Sequence, residues 1–344
     1  MIWKGVEICC PWCKGDLKEG TRDSELNCRS CGRCFPVLLG IPDLRTFSDP
    51  YIEAEADRAK GLLVATRIDE LGFSELVDFY YSITCVVPPS HAALYKRGLM
   101  SGVARSEAAF ANWESMSRTN GQAGTGSLLE IGCGTAPLLV AAAGRFTTLV
   151  GVDIAFRWLI VAKKRLAEAG LDIPLICACA EALPFPAGTF DKVAADSTLE
   201  HLQDQRAALA ECNRVMRPSG RLLVSTPNRY SLGPDPQAGI WAGGLLPQRW
   251  VASYVRKQGG IPPKRRLLSA ESLRSLIKAA GFTSPKVSLP NIPAGQREYF
   301  GKGINLLIDL YHTAKQVPVS REILRWVGPH LSAVAEKPVQ SSFK

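Results

Sequence analysis

The stretch LLEIGCGTAPLL, residues 128–139, constrains the fold more than any other part of this chain. It reads as a buried strand, a glycine turn and the start of a helix, and Gly, Ser and Thr punctuate the chain just before it. The alternation then continues. Strand signals recur at 128–131, 149–152, 174–177, 192–195 and 221–225, with helical stretches between them, best seen in FRWLIVAKKRLAEAG and QRAALAECNRVM. Strands alternating with helices imply a parallel sheet covered on both faces. In such sheets ligands bind outside the carboxyl ends of the strands, at the switch point after the first strand. The glycines do not complete the dinucleotide pattern, because Gly132 and Gly134 are followed by Pro137 with no third glycine in register.

With 344 residues, 46% of them hydrophobic, the chain is long enough for one large α/β domain plus smaller additions. No apolar run reaches the roughly 18 residues of a membrane helix. The opening MIWKGVEICC lacks the long apolar stretch and cleavage site of a signal peptide, so the expected location is cytoplasmic. The formal net charge of +9 suits an anionic partner. Nucleic acid, a membrane face and a phosphorylated substrate all qualify, and charge alone does not choose.

Six of the eleven cysteines fall within the first 34 residues. In a chain read as unsecreted, this density points to thiols or metal ligands and not to disulfides. Cys10, Cys13, Cys28 and Cys31 form two C-x2-C knuckles that can place four thiolates about 2.3 Å from one tetrahedral zinc. Cys9 and Cys34 are adjacent spares. Four protein ligands leave no open position, so the zinc would be structural. A segment of this size also has too little core to be stable alone. The alternative is a set of unmetallated buried thiols. The run CPWCKGDL…LNCRSCGRCFPVLLGIPDL resembles the small zinc-ribbon-like protein that activates tRNA and rRNA methyltransferases, a module that also occurs fused to methyltransferases.

These features divide the chain into a zinc-ribbon-like module over 1–45, a helical connector over 46–126 and an α/β domain over 127–344. The connector is rich in Ala, Leu, Glu and Arg. It is broken at Pro88-Pro89 and closes on a joint, NGQAGTGS. Within 127–229, LLEIGCGTAPLL, LVGVDIAF, CACAEALPFPAGTFDKV, DSTLEHL and RVMRPSGRLLVSTPNR come in the order found in class I S-adenosylmethionine-dependent methyltransferases. The set resembles the quinone-biosynthesis branch and its small-molecule relatives. The resemblance implies a doubly wound, mostly parallel seven-stranded sheet and S-adenosylmethionine as cofactor.

It also implies site residues. Gly132 and Gly134 would let the backbone approach the methionine end of the cofactor, with Glu130 orienting that end. Asp153 would take the ribose hydroxyls, as the acidic residue does in dinucleotide folds; its alternative is a helix cap. Ala180 and Glu181 would bracket the adenine. Cys179 stands where relatives carry an acidic residue, and Ala136 where many have glycine. Asp196 and His201 would lie near the methyl donor. A His with a near-neutral pKa is a suitable base for an acceptor that must lose a proton. The alternative is a histidine that only packs beneath the cofactor.

Acceptor identity should reside in the insertions at 230–268 and 290–329. The first carries Trp241, Trp250, Tyr254 and six basic residues, among them Arg265 and Arg266. Aromatics there would shape a pocket, with Trp241, Arg265 and Arg266 as candidate substrate contacts. The alternative is a solvated basic face. The expected function is methyl transfer to a small molecule, anionic, lipid-linked or glycosylated. Methylation of an rRNA or tRNA base is the second enzyme reading, and a non-catalytic activator or binding protein the third. The sequence leaves the oligomeric state open.

Overall fold

The structure, a computed structural model, describes residues 1–20, 24–84, 87–117, 125–233, 235, 239–298 and 301–339. Most of the joint expected at 120–127 lies outside the described residues. Six short strands open the chain: Ile2–Trp3 (β1), Val6–Glu7 (β2), Leu17–Glu19 (β3), Glu25–Cys28 (β4), Cys34–Leu38 (β5) and Ile41–Pro42 (β6). β3 to β6 form an antiparallel sheet in sequence order. Its buried Leu17, Leu26 and Phe35, with Ile8 just before it in the chain, join a single apolar core with the main sheet's Leu129 and Ile176. The shared core supplies the burial that so short a segment lacks by itself.

Four helices follow: Ala54–Ala65 (α1), Phe73–Ser82 (α2), Pro89–Met100 (α3) and Gly102–Met116 (α4). α3 begins at the second proline of the expected break, a position where a missing N–H costs nothing. α1 ends at Ala65, where the Thr66 N–H bonds back to the Leu62 carbonyl. Gly61 lets α1 approach the next domain closely, since a Cβ there would lie 2.5 Å from the Phe156 ring.

The remainder is Ser127–Ile131 (β7), Pro137–Ala142 (α5), Thr148–Asp153 (β8), Phe156–Glu168 (α6), Leu175–Cys177 (β9), Phe190–Asp196 (β10), Gln205–Val215 (α7) and Met216–Pro227 (β11). Then come Gln248–Lys257 (α8), Ala270–Ala279 (α9), Thr283–Ser288 (β12), Ala294–Arg297 (α10), Lys302–Ala314 (α11), Pro318–Val327 (α12) and His330–Glu336 (β13). The seven strands order as β12-β13-β11-β10-β7-β8-β9, and β13 runs antiparallel between β11 and β12. The chain therefore reverses direction across the sheet at β7, and the loop after β7 stands at that switch point.

Charge ties the segment after β6 and the start of α1 to the start of α6. Arg45 bonds Asp43 (2.6 Å) and Asp57 (2.8 Å), Arg58 bonds Asp43 (2.7 Å), and Arg157 bonds Asp57 (2.6 Å) and Asp49 (3.1 Å). Three carboxylates thus meet three guanidinium groups, and all but Arg58 are nearly fully buried. Burial pushes the Asp43 pKa up, but the bonds from Arg45 and Arg58 outweigh it and hold the carboxyl below its ordinary value. Asp57 also accepts the Phe156 N–H at 2.8 Å, where the orphan donors and positive end of the α6 dipole favour a carboxylate. Arg45 donates to the Ile154 carbonyl at 3.1 Å. The main chain joins in, as Leu44 N–H bonds the Cys177 carbonyl at 2.7 Å.

Asp57→Ala would leave two buried guanidinium groups without their shared carboxylate. We expect it to lower unfolding stability by about 3–5 kcal/mol in urea titration. A loss under about 1 kcal/mol would mean that the network is not holding the fold.

Candidate active site

A cavity of about 680 Å³ opens at the carboxyl ends of β7, β8 and β10, within the size range of small-molecule sites. Gly132, Gly134, Thr135, Asp153, Ala180, Glu181 and His201 line it. Gly134 takes φ +51° with nothing within 4 Å of where its Cβ would be, so the loop backbone is bare toward the cavity. Gly132 is glycine for a different reason than expected. At φ +65° its Cβ would collide with Thr198 at 2.2 Å, and Thr198 Oγ1 donates to the Gly132 carbonyl instead. Ala136 adopts φ 59°, ψ 34°, the left-handed conformation that glycine takes without strain. Alanine holds it at a cost of roughly 1–2 kcal/mol.

Asp153 ends β8. Its Oδ2 accepts the Gly134 N–H and its Oδ1 the Ala155 N–H, both at 2.7 Å, which fixes the carboxylate at the cavity wall. Burial raises its pKa to about 6. Ala180 lines the cavity after β9, while the Cys179 thiol turns away toward the Phe47 carbonyl at 3.5 Å. Glu181 Oε1 accepts the main-chain N–H groups of Gln203 and Asp204. Glu130 and Asp196 lie outside the lining. Glu130 is buried with Oε2 unpaired, and burial drives its pKa well up. Asp196 sits beside Ser225 and Ser197, and burial raises its pKa as well.

Several cavity residues had no sequence signal. Phe47, Asp49 and Tyr51 of the segment before α1, Tyr81 of α2, His91 and Tyr95 of α3, Arg105 of α4 and His330 of β13 all line it. Arg105 Nε and Thr135 Oγ1 are buried there without a hydrogen-bond partner. A buried guanidinium nitrogen and a hydroxyl left unpaired beside a bare glycine loop fit a ligand with both acceptor and donor groups, such as an amino acid moiety.

His201 lines the cavity, with Nε2 3.9 Å from Glu200 Oε1. It does not have the near-neutral pKa that the sequence reading expected. Burial, then the charge of Arg265, lower it to about 4. Glu200 moves the other way: burial raises it to about 7, against its bond from Thr226 Oγ1 at 2.9 Å.

The expected substrate residues are not brought together. Trp241 is exposed and lines neither this cavity nor the cleft beside it. Arg265 is buried against Asp235, outside the cavity lining. The Arg266 side chain is exposed, and its main chain binds the Glu200 carbonyl and Gln205. Both arginines line the neighbouring cleft.

At the other end of the chain, Cys10, Cys13, Cys28 and Cys31 place their sulfur atoms within 4.8 Å of one another. The pairs Cys10–Cys31 and Cys13–Cys28 stand 3.7 and 3.4 Å apart. Tetrahedral zinc would put its sulfurs about 3.8 Å apart, so the cluster fits that geometry. Cys9 and Cys34 stand apart from the four: Cys9 pairs its main chain with Asp16, and the Cys34 thiol donates to the Gly32 carbonyl.

A glycine loop at the switch point of a doubly wound sheet, with a carboxylate closing the second strand, defines a Rossmann-like small-molecule-binding protein. Residues 129–224 match the family described as a methyltransferase domain. A Cereibacter sphaeroides ubiquinone biosynthesis O-methyltransferase is 31% identical over 155 residues, 45% of this chain and 59% of the relative. A Thermus thermophilus demethylmenaquinone methyltransferase is 30% identical over 167 residues, 45% of this chain and 72% of the relative. Among solved structures, a Haemonchus contortus phosphoethanolamine N-methyltransferase 2 with S-adenosyl-L-methionine is 19% identical, covering 67% of this chain and 53% of that one, with a TM-score of 0.46. The chain belongs to the class I S-adenosylmethionine-dependent methyltransferases. It spans about three fifths of the length of the ubiquinone-biosynthesis relatives it matches.

In an NMR titration of the histidine ring signals, His201 should stay neutral until the pH falls to about 4, and Arg265→Gln should move its midpoint upward. A midpoint above 6 in the unaltered protein would mean that neither the half-buried position of the ring nor the charge of Arg265 sets its protonation.

Proposed function

We propose that this chain transfers a methyl group from S-adenosylmethionine to a small-molecule acceptor. The observation that carries the proposal is the meeting, in one cavity, of the bare Gly134 loop, the Asp153 carboxylate and the unpaired polar atoms of Arg105 and Thr135. When bound, S-adenosylmethionine supplies a methyl group on a positively charged sulfur, open to attack by an acceptor lone pair. Arg105 would hold the methionine carboxylate, with Thr135 beside it and buried Glu130 behind. Asp153 would bond the ribose hydroxyls while its contacts to Gly134 and Ala155 keep it in place. Ala180 and Phe47 would flank the adenine.

The acceptor would occupy the wall made by Tyr51, Tyr81, His91 and Tyr95. Aromatic rings there suit an apolar or aromatic acceptor. His201, neutral at physiological pH, would take the proton that the acceptor loses, with Glu200 behind it. Holding the acceptor in line with the methyl group would supply much of the rate. An aromatic-walled cavity of this size favours a small acceptor over an RNA base presented on a large surface. The cysteine cluster would hold one structural zinc, which would close the small sheet that shares its core with the main one.

Asp153→Ala should weaken S-adenosylmethionine binding by about 2–3 kcal/mol in calorimetry, the scale of lost charge-assisted hydrogen bonds. Unchanged affinity would place the ribose elsewhere. Elemental analysis of the purified chain should find about one zinc, lost on replacing Cys10 and Cys28 with serine. A metal-free wild-type chain of equal stability would remove the metal from the account.

A further inference from the structure

The segment after β11 and the helix α12 leave large apolar side chains in solvent. Trp241, Leu245, Trp250 and Tyr254 are each 46–59% exposed, and Val319, Ile323 and Trp326 are each 59–73% exposed. The residues on each helix fall at helical spacing. Trp250 and Tyr254 stand four apart on α8, each one position before a buried valine, Val251 and Val255. Val319, Ile323 and Trp326 form an i, i+4, i+7 row on α12, a helix with no buried residue.

Both segments are fastened to the same stretch of chain. Asn228 Nδ2 donates to the Trp326 carbonyl at 2.9 Å, and Leu232 N–H bonds the Val327 carbonyl at 3.2 Å. Gly244 packs so closely on the Arg229 carbonyl that a Cβ there would lie 2.1 Å away. Both segments are thus anchored on residues 228–232. Monomeric soluble proteins rarely leave such clusters uncovered unless something docks on them.

Charge selects the occupant. Between Asp235 and Glu271 the chain has no acidic residue and six basic ones, of which Arg265 is paired with Asp235 and the other five are Arg249, Arg256, Lys257, Lys264 and Arg266. A cleft of about 500 Å³ lies within this segment and mixes the two chemistries, with Arg229, Arg265 and Arg266 on its wall beside Leu245, Leu246 and Val251. Guanidinium groups set among leucines, in a segment that also exposes Trp241 and Trp250, match the boundary of an anionic bilayer, where phosphate, indole rings and acyl chains meet. Nucleic acid would match the charge but not the exposed leucine, valine and isoleucine. A second copy of this chain would bring the same basic charge against itself.

We propose that residues 239–267 and α12 form a docking face for an anionic phospholipid bilayer, with the arginine cleft taking a headgroup phosphate. The same segment sends Ile261 and Pro263 into the lining of the 680 Å³ cavity, so docking would bring the cavity next to the lipid. No helix among the described residues is long and apolar enough to cross a membrane, so the attachment would be peripheral. It stands apart from the cofactor contacts, and its test does not depend on methyl transfer.

The test is co-sedimentation of the full chain with vesicles of phosphatidylcholine alone or mixed with phosphatidylglycerol. The expected result is binding to the mixed vesicles only, weakened by salt. Trp250→Ser with Trp326→Ser should lower the partition coefficient roughly tenfold, as should Arg229→Gln with Arg266→Gln, since interfacial binding needs both apolar burial and charge. Both pairs are surface changes, and the melting temperature and S-adenosylmethionine affinity of each variant should match the wild type. No binding to either vesicle would overturn the proposal. So would tight binding to a structured RNA that the tryptophan variant retains, or sedimentation of the wild type as a dimer that the tryptophan variant breaks.

Discussion

The fold turns on a buried set of ion pairs, two of which, those of Arg157 with Asp49 and Asp57, join residues 108 and 100 positions apart. Asp57 is its centre: one oxygen meets Arg45 and the Phe156 N–H, the other Arg157. A charged group buried this deeply is tolerated only where each partner is met, and removing any one strands the others. The network therefore acts as a register pin. It sets the segment at 43–57 against the loop between Asp153 and Phe156, the loop that carries the proposed ribose carboxylate. Phe47 and Asp49 reach the cavity wall because their neighbours are held by this pin. The N-terminal sheet is thus part of how the cavity is built, and it is joined to the main sheet by a shared core as well as by charge.

Much of the α/β architecture was legible. Each of the five strands read between 128 and 225 is present, because strands buried on both faces are apolar almost throughout and the glycine turns punctuate them. The sixth position in the sheet was not read. β12 is TSPKVS, polar and carrying Pro285, and it sits at the edge, where an unpaired N–H position tolerates proline. An edge strand of this kind gives no periodic apolar signal.

The cavity was legible only where it is made by local sequence. Gly134, Asp153 and Ala180 follow strands of a recognisable motif order and do line it. Arg105, His91 and Tyr95 come from helices α3 and α4, whose patterns are those of ordinary amphipathic helices. Their role depends on a long-range contact that no local pattern encodes. The first insertion offers either a pocket wall or a solvated basic face, and it supplies some of each: Ile261 and Pro263 line the cavity, while Arg249, Arg256 and Lys257 are exposed. Trp241 and Trp250 looked like the makings of a pocket, but α8 buries its valines and turns its aromatics outward. Gly132 illustrates the same limit. The glycine was legible, but the Thr198 side chain that forbids a Cβ there lies 66 residues away.

The account makes one cavity serve the cofactor, with walls drawn from the N-terminal segment, the connector helices and the sheet. A crystal structure of the full chain with S-adenosylhomocysteine tests this most directly. The account predicts the ribose on Asp153, the amino acid carboxylate on Arg105, and Phe47 against the adenine with the Asp57 ion pairs intact. A nucleoside bound away from Asp153, or one whose binding frees the segment at 43–57 from the site, would contradict it.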